Sequence, residues 1–237
     1  MVSVPAPPFK VPPIVPGSEV WWRLRNQRDA RRRPRADGLT IDRIITAALR
    51  ILDEEGLDAL TMRRLADDLD AGAASLYRHV ATRDELLVEI IDHVLGELGP
   101  PPEGGSWRDG AEHMARELYE VLSRHAAVVQ LVPGDPLLGP NALRRREVGL
   151  RYLLDHGFGE QEAVQVYAMV VSWILGHMVL TRGRHTAPRA AAFRAVSASE
   201  YPTLSDLSGI GPPGEDELFE LGLLTLLDGI EARFAPS

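Results

Sequence analysis

The chain has 237 residues, 45% of them apolar and 25% charged, with 18 prolines, 21 glycines and no cysteine. This composition predicts a packed soluble protein of one or two domains with long irregular segments. It excludes a disulfide framework, a Cys-ligated zinc site, an iron–sulfur cluster and a thiol nucleophile. The formal net charge of −8 argues against a nucleic-acid binder, but residues 1–38 carry eight basic side chains against three acidic ones, leaving eighteen against thirty-one for the remainder. A short basic arm on an acidic body is the pattern to explain.

Residues 1–17 hold six prolines and predict a mobile, polyproline-like tail. They lack the charged-then-apolar pattern of a secretory leader, so a cytoplasmic location is expected. The Arg-rich stretch 18–38 follows, and the two together make an expected flexible N-terminal arm, residues 1–38. Helical periodicity starts at Thr40, a plausible N-cap, with Ile41, Ile44, Ile45, Ala48, Leu49 and Leu52 on one face and Gly56 as the stop. Thr61 caps a short helix with Met62, Leu65, Ala66 and Leu69 inward. Asp70-Ala71-Gly72 is a turn, and a third short helix runs from Ala73 to Val80. Thr82 to Glu85 forms a capping box for a longer helix, Asp84–Leu98, that Gly99 and three prolines end.

The second half predicts helices over Ser106–Arg124, Ala126–Leu131, Asn141–His156, Glu160–Arg182 and Glu215–Phe234, with a long connection at 183–214 that includes a short Ala-rich helix near Arg189–Ser199. No strand alternation or repeat occurs, so the fold is read as all-α, with a helix-turn-helix domain at 39–83 and a larger helical domain at 84–237. The stretch Ala163–Leu180 approaches membrane-spanning length, but Gln165, Ser172 and His177 interrupt it. It reads instead as a helix buried twice, against its own domain and against a second copy. With the last helix it predicts a four-helix homodimer interface through Leu175, Gly176, Val179, Leu223, Leu226, Leu227 and Ile230.

A short helix, a Gly-containing turn and a second short helix make a helix-turn-helix unit. Arg63 and Arg64 stand in the first turn of their helix, where cations oppose the macrodipole unless an anionic partner reverses the sign of the cost. The next helix opens with Ala73, Ala74 and Ser75, small enough for close approach to DNA, with a hydroxyl to read an edge. Tyr77, Arg78, His79 and, just beyond, Arg83 form a cluster of phosphate donors. Each has a bland alternative: Tyr77 as half core, His79 as a surface histidine, Arg83 as part of a helix start. Arg43 and Arg50 read as solvated.

The run from Leu39 to Leu87 resembles the DNA-binding domain of the tetracycline-repressor (TetR) family, through Ala47-Ala48-Leu49, Glu55-Gly56, Leu60-Thr61-Met62-Arg63, Leu65-Ala66, Ser75 to Val80 and Arg83 to Leu86. The second half is similar, more weakly, to the tetracycline-repressor type of regulatory domain, through Gly105-Ser106-Trp107, Leu122 to His125, Asp155 to Phe158 and Leu175-Gly176. The resemblance implies that Arg63, Ala73, Ala74, Ser75 and Arg78 read base edges while Thr61, Tyr77, His79 and Arg83 hold phosphates. Small alanines replace larger readers, so the operator sequence is not transferred. Arg31, Arg32, Arg33 and Arg35 are the arm residues nearest the domain and are expected to enter an adjacent minor groove; the alternative is a solvated tail, or packing of Trp21 and Trp22 on the body.

An effector cavity is expected among the helices of the second half, with Met114, Leu118, Gln130, Tyr152, Val164, Tyr167, Val171 and Trp173 as candidate lining. Where tetracycline repressors carry the histidines that grip drug and metal, this chain has Gly99, Gln130 and Ser172. A different, largely apolar effector is therefore expected, with no metal and no cofactor. The rival reading is an all-α enzyme or small-molecule carrier built on seven histidines. No HExxH, no Gly-rich phosphate loop after a strand and no GxSxG supports it. The sequence therefore predicts a ligand-responsive regulator, a homodimer on double-stranded operator DNA, outside the membrane and without catalytic residues.

Overall fold

Side-chain caps and apolar stripes at three-and-four spacing set the bounds of the long helices. The computed structural model describes residues 14–30, 39–132, 137–181, 197–207, 210 and 213–234. Among these residues there are eleven α-helices and no strand: α1 (Glu19–Ala30), α2 (Ile41–Glu55), α3 (Met62–Asp68), α4 (Ala73–Tyr77), α5 (Arg83–Leu95), α6 (Trp107–Arg124), α7 (Ala126–Val129), α8 (Pro140–Asp155), α9 (Glu160–Thr181), α10 (Pro202–Leu207) and α11 (Glu215–Phe234). The fold is all-α, as the periodicity predicts. The Ala-rich helix expected near Arg189–Ser199 falls largely outside the described residues, and α10 is an element that the sequence reading leaves inside a connection.

The helices form two compact units. One takes the described residues up to His93 together with 137–143; the other takes 94–132 and the described residues from Arg144 onward. Helices α5 and α8 each begin in the first unit and end in the second. The sequence reading draws its boundary at 83/84; in the structure Leu86 and Ile90, in the first turns of α5, are 1% and 0% exposed and fall within the first unit.

In the first unit, Thr40 caps α2 by accepting from the Arg43 N–H, and Ile44, Ala48, Ile51 and Leu52 form its buried stripe. The polar edges of α2 and α3 are tied by a charged cluster in which Asp68 takes Arg50 and Arg64, while Arg64 also reaches Glu55 at 2.7 Å. Arg50, hydrogen-bonded to Asp68 above all, holds that carboxyl below the usual carboxylate range. Arg50 is therefore part of an ion-pair network rather than a merely solvated side chain.

Residues 19–30 are not a flexible arm. Ser18 accepts from the Trp21 N–H at the start of α1, and Trp21, Trp22 and Arg25 are buried at 7%, 6% and 5% exposure. Trp21 donates its indole N–H to Glu85 at 3.2 Å, and Arg25 pairs with Glu89 one turn further along α5. Gly17, at φ +85°, lets the chain pass close to Val88. The sequence reading misses this helix because one member of its short buried stripe is an arginine, which reads as solvated until a carboxylate is seen to meet it. Arg31, Arg32, Arg33 and Arg35 lie outside the described residues.

Further along α5, the buried carboxylate of Asp92 accepts the Asn141 and Ala142 backbone N–H groups at 3.0–3.2 Å and so caps α8. A Cβ at Gly139 would overlap this carboxylate, which explains the glycine there.

In the second unit, Ser106 and Asp109 form a reciprocal capping box on α6, and α6, α7, α9 and α11 pack on one another. Tyr119 stacks on Phe219 at 3.8 Å, and Trp173 lies against Phe219 and His177 over Gly222, where a Cβ would collide with the indole. Helix α9 is long and apolar enough by composition to cross a membrane. One face of it, Ala163, Val166, Ile174 and Met178, is packed inside this unit, and the opposite face leaves Val164, Val179 and Leu180 more than half exposed.

The interface expected on α11 needs correction. Leu223, Leu227 and Ile230 are 0%, 0% and 2% exposed and face the chain's own core, while Leu221 and Leu224 point outward. Because α11 is apolar nearly all round, its periodicity does not say which stripe faces inward. Leu175, Gly176 and Leu226 are half-buried and Val179 is exposed, so these remain available to a second copy.

Candidate functional site

The first candidate surface is built on α3 and α4. Thr61 caps α3, its hydroxyl accepting from the Arg64 N–H at 3.1 Å, and Leu65 and Ala66 fix the helix to the core. The turn that follows is sharp: Asp70 takes φ +48°, a left-handed conformation that a short polar side chain tolerates, and the Ala71 N–H bonds back to Ala66. Helix α4 is shorter than the predicted Ala73–Val80. It closes after Tyr77 in a tight turn in which His79 and Val80 both donate to the Leu76 carbonyl. Leu76 and Val80, 0% and 1% exposed, nail this element to the core.

With those two side chains inward, the remaining ones are turned to solvent. Ala73, Ala74, Tyr77 and Arg78 are exposed, Ser75 and His79 half-buried, and Tyr77 is 50% exposed despite its ring. Arg78 donates from Nη2 to the Ser75 hydroxyl at 2.8 Å, which holds its guanidinium along the outer face of α4. Thr61 and Arg63 are exposed at the start of α3. The structure thus brings Thr61, Arg63, Ala73, Ala74, Ser75, Tyr77, Arg78 and His79 to the α3–α4 element. Arg83 stands apart from them: its Nε and Nη2 donate to the carbonyls of Leu60 and Leu57 at 2.8 and 2.9 Å. Arg83, expected as a phosphate donor, ties the start of α5 to the segment before α3 through these two bonds.

The second candidate site is a cavity of about 100 Å³ inside the second unit, between α6, α8 and α9. Met114, Leu118, Tyr167 and Val171 line it, as the sequence reading expects. Gln130, Tyr152, Val164 and Trp173 do not line it. Gln130 is exposed where α7 ends, and Val164 is 57% exposed on the outer face of α9. Tyr152 donates to the Ser106 carbonyl at 3.1 Å and fills the space left by Gly110, while Trp173 belongs to the stack on Phe219.

Sequence reasoning missed two charged lining residues, Glu117 and Arg145, together with Val148 and Gly149. Arg145 sits in the run Arg144-Arg145-Arg146, which reads as a solvated face; its three-and-four spacing to Val148 and Gly149 is the signal that places it inward. Burial pushes the Tyr167 hydroxyl above the usual phenol range, with Arg146 opposing that shift.

Among the described residues, no group of three or more His, Asp or Glu side chains is placed to hold a metal. Glu112, His113 and Glu117 do not converge: Glu112 pairs with Arg108 and Arg116, His113 is exposed, and Glu117 accepts from the Gly99 N–H. Gly99 has no side chain, and Gln130 and Ser172 are exposed.

Residues 44–90 match the profile for bacterial regulatory proteins of the tetR family, and residues 99–234 match that for the tetracyclin repressor-like C-terminal domain. The chain belongs to the TetR family. Like other TetR proteins it is a DNA-binding transcriptional regulator with a ligand-responsive helical domain. It is 41% identical over 197 residues to an HTH-type transcriptional regulator of Saccharopolyspora erythraea, a match covering 80% of this chain and 81% of that one. It is 32% identical to the HTH-type transcriptional repressor DrrR1 of Streptomyces coeruleorubidus, over 83% of this chain and 79% of the other. Among solved structures, the TetR protein ActR of Streptomyces coelicolor in complex with (S)-DNPA superposes with a TM-score of 0.70 at 36% identity, covering 82% of this chain and 98% of ActR.

Proposed function

We propose that this TetR protein is a homodimeric repressor that leaves a pseudo-palindromic operator when a small, largely apolar effector occupies the α6–α8–α9 cavity. The observation that carries the reading is the outer face of α4. Tyr77, Arg78 and Ser75 project from an element whose other side, Leu76 and Val80, is locked in the core. Ser75, Arg78, Arg63, Ala73 and Ala74 are the base-edge side of this surface, with Tyr77, His79 and Thr61 on phosphates. Arg31, Arg32, Arg33 and Arg35 add phosphate or minor-groove contacts. The relative DrrR1 is a repressor by name, and ActR is crystallised with small molecules, which supports repression and effector control here.

The second copy covers the outward apolar faces of α9 and α11, with Val179, Leu180, Leu221 and Leu224 joining Leu175, Gly176 and Leu226. Two recognition helices about 34–36 Å apart then meet successive major grooves. The protein acts in the cytoplasm, binds no membrane and catalyses no reaction. A salt-dependent mobility shift on genomic fragments tests the reading, and absence of any shift at low salt overturns it.

Effector and DNA are linked because α5 is continuous from the reading unit into the regulatory unit, and Leu98, three residues beyond its end, lines the cavity. An effector releases DNA only by binding more tightly to the spacing that does not fit the operator. Filling the cavity by Leu118→Trp is expected to mimic it, weakening operator binding about tenfold or more, a coupling of about 1.4 kcal/mol, while leaving the dimer intact. A folded, dimeric Leu118→Trp variant with wild-type affinity in a mobility-shift titration places the effector elsewhere.

A further inference from the structure

The cavity is not uniformly apolar. One end carries two charged side chains, and both are held by the same peptide. Glu117 Oε1 accepts the Gly99 N–H, and Arg145 Nη1 donates to the Gly99 carbonyl. That carbonyl engages one of the five guanidinium N–H donors. Among the described residues Arg145 makes no ion pair. Its charge is opposed first by burial and then by the neighbouring Arg144, with Glu117 acting the other way. Tyr167 brings a further hydroxyl, beside Arg146. The charged side chains of the lining are thus one guanidinium and one carboxylate, each tied to the Gly99 peptide. Of the lining side chains, Arg145 and Tyr167 supply donors and Glu117 the one carboxylate, an oxygen of which is already engaged by the Gly99 N–H.

The other walls are Met114, Leu118, Val166, Val170, Val171 and Ile174, flattened by the small residues Ala111, Ala115 and Gly149. A dry cavity of about 150 Å³ accommodates a benzene ring, so a cavity of about 100 Å³ between flat walls takes at most one planar ring, and the walls must yield a little to admit it. Arg145 is half-buried and gives the Gly99 carbonyl one of its donors, so the rest of its fork is open to a ligand, and a bidentate anionic oxygen pair is the partner that fork fits best.

We infer that the effector of this cavity is a planar, ring-bearing molecule with one anionic oxygen group, a carboxylate or its equivalent, received by Arg145. The inference rests on the reading of the cavity as the effector site. It also names the differential contact that regulation requires. Oxygen atoms of the ligand compete with the Gly99 carbonyl for the Arg145 guanidinium, and Gly99 lies four residues after the end of α5.

The test uses the full chain and three one-ring probes of similar shape: benzoate, the uncharged benzamide and benzylammonium. Each is titrated calorimetrically at neutral pH. The expected result is that benzoate binds at least tenfold more tightly than the amide, and the ammonium more weakly than either. Arg145→Gln is expected to erase the preference for the acid, and Glu117→Gln to keep it. The comparison among probes on the unaltered chain stands even where a variant fails to fold. Equal binding of acid and amide, or preference for the ammonium, overturns the inference while the cavity survives as a binding site. Failure of all three probes at millimolar concentration, with the protein folded, overturns both.

Discussion

Replacing Arg78 by Ala is expected to weaken operator binding by about 1–3 kcal/mol for each half-site, the worth of one good base or phosphate contact, and by about twice that where a dimer loses both. The reason is geometric. Arg78 is exposed, its guanidinium is steadied by the Ser75 hydroxyl, and the backbone beneath it is fixed by Leu76 and Val80. Truncation therefore removes a donor without disturbing the core, and thermal stability is expected to stay within about 0.5 kcal/mol of the parent. Tyr77→Ala is expected to act alike, since half of that side chain is open to solvent. Mobility shifts at moderate salt measure both. Unchanged affinity in Arg78→Ala removes that residue from the reading surface.

The second large effect concerns stability. Trp22 is 6% exposed, and replacing a buried Trp by Ala costs about 3–5 kcal/mol. Trp22→Ala is therefore expected to lower the unfolding midpoint of the reading unit sharply and to reduce DNA affinity indirectly. Replacing Arg31, Arg32, Arg33 and Arg35 together by Ser is expected to do the reverse: stability unchanged, and a shallower dependence of affinity on salt, by about 0.9 in logarithmic slope for each phosphate no longer neutralised. Denaturant melts paired with salt titrations separate the two. A Trp22→Ala variant as stable as the parent contradicts the docking of α1 on α5. An unaltered slope in the quadruple variant makes the arginines a solvated segment.

The contrast between α1 and α2 shows what a sequence discloses. The stripe of α2 is long, uniformly apolar and capped by Thr40 and Gly56, so its bounds are legible from periodicity and cap chemistry alone. The buried stripe of α1 is two tryptophans and an arginine, and its existence depends on Glu85 and Glu89, more than sixty residues away. No local pattern encodes such a partner. The same limit explains Arg83, whose charge is legible but whose acceptors, the Leu57 and Leu60 carbonyls, become visible only once the chain has turned.

On α11 the difficulty is an excess of signal. Leucine on every side leaves the inward direction open, and packing against α6 and α9 decides it. In the cavity, apolar walls are predictable from helical spacing, whereas the charged end is hidden in an arginine run that reads as surface. The burial pattern of the α4 element is the most legible part, because two inward residues, Leu76 and Val80, and the outward polar side chains share eight residues.

Regulation of transcription through α4 is tested most directly by selecting genomic fragments with the purified full chain, then comparing the parent protein with Arg78→Ala on the selected DNA. The expected result is a salt-dependent complex of two chains per duplex on a site with half-sites about one turn apart, abolished or strongly weakened in the variant. Selection of no fragment at low salt by a folded protein, or equal binding by the variant, contradicts it.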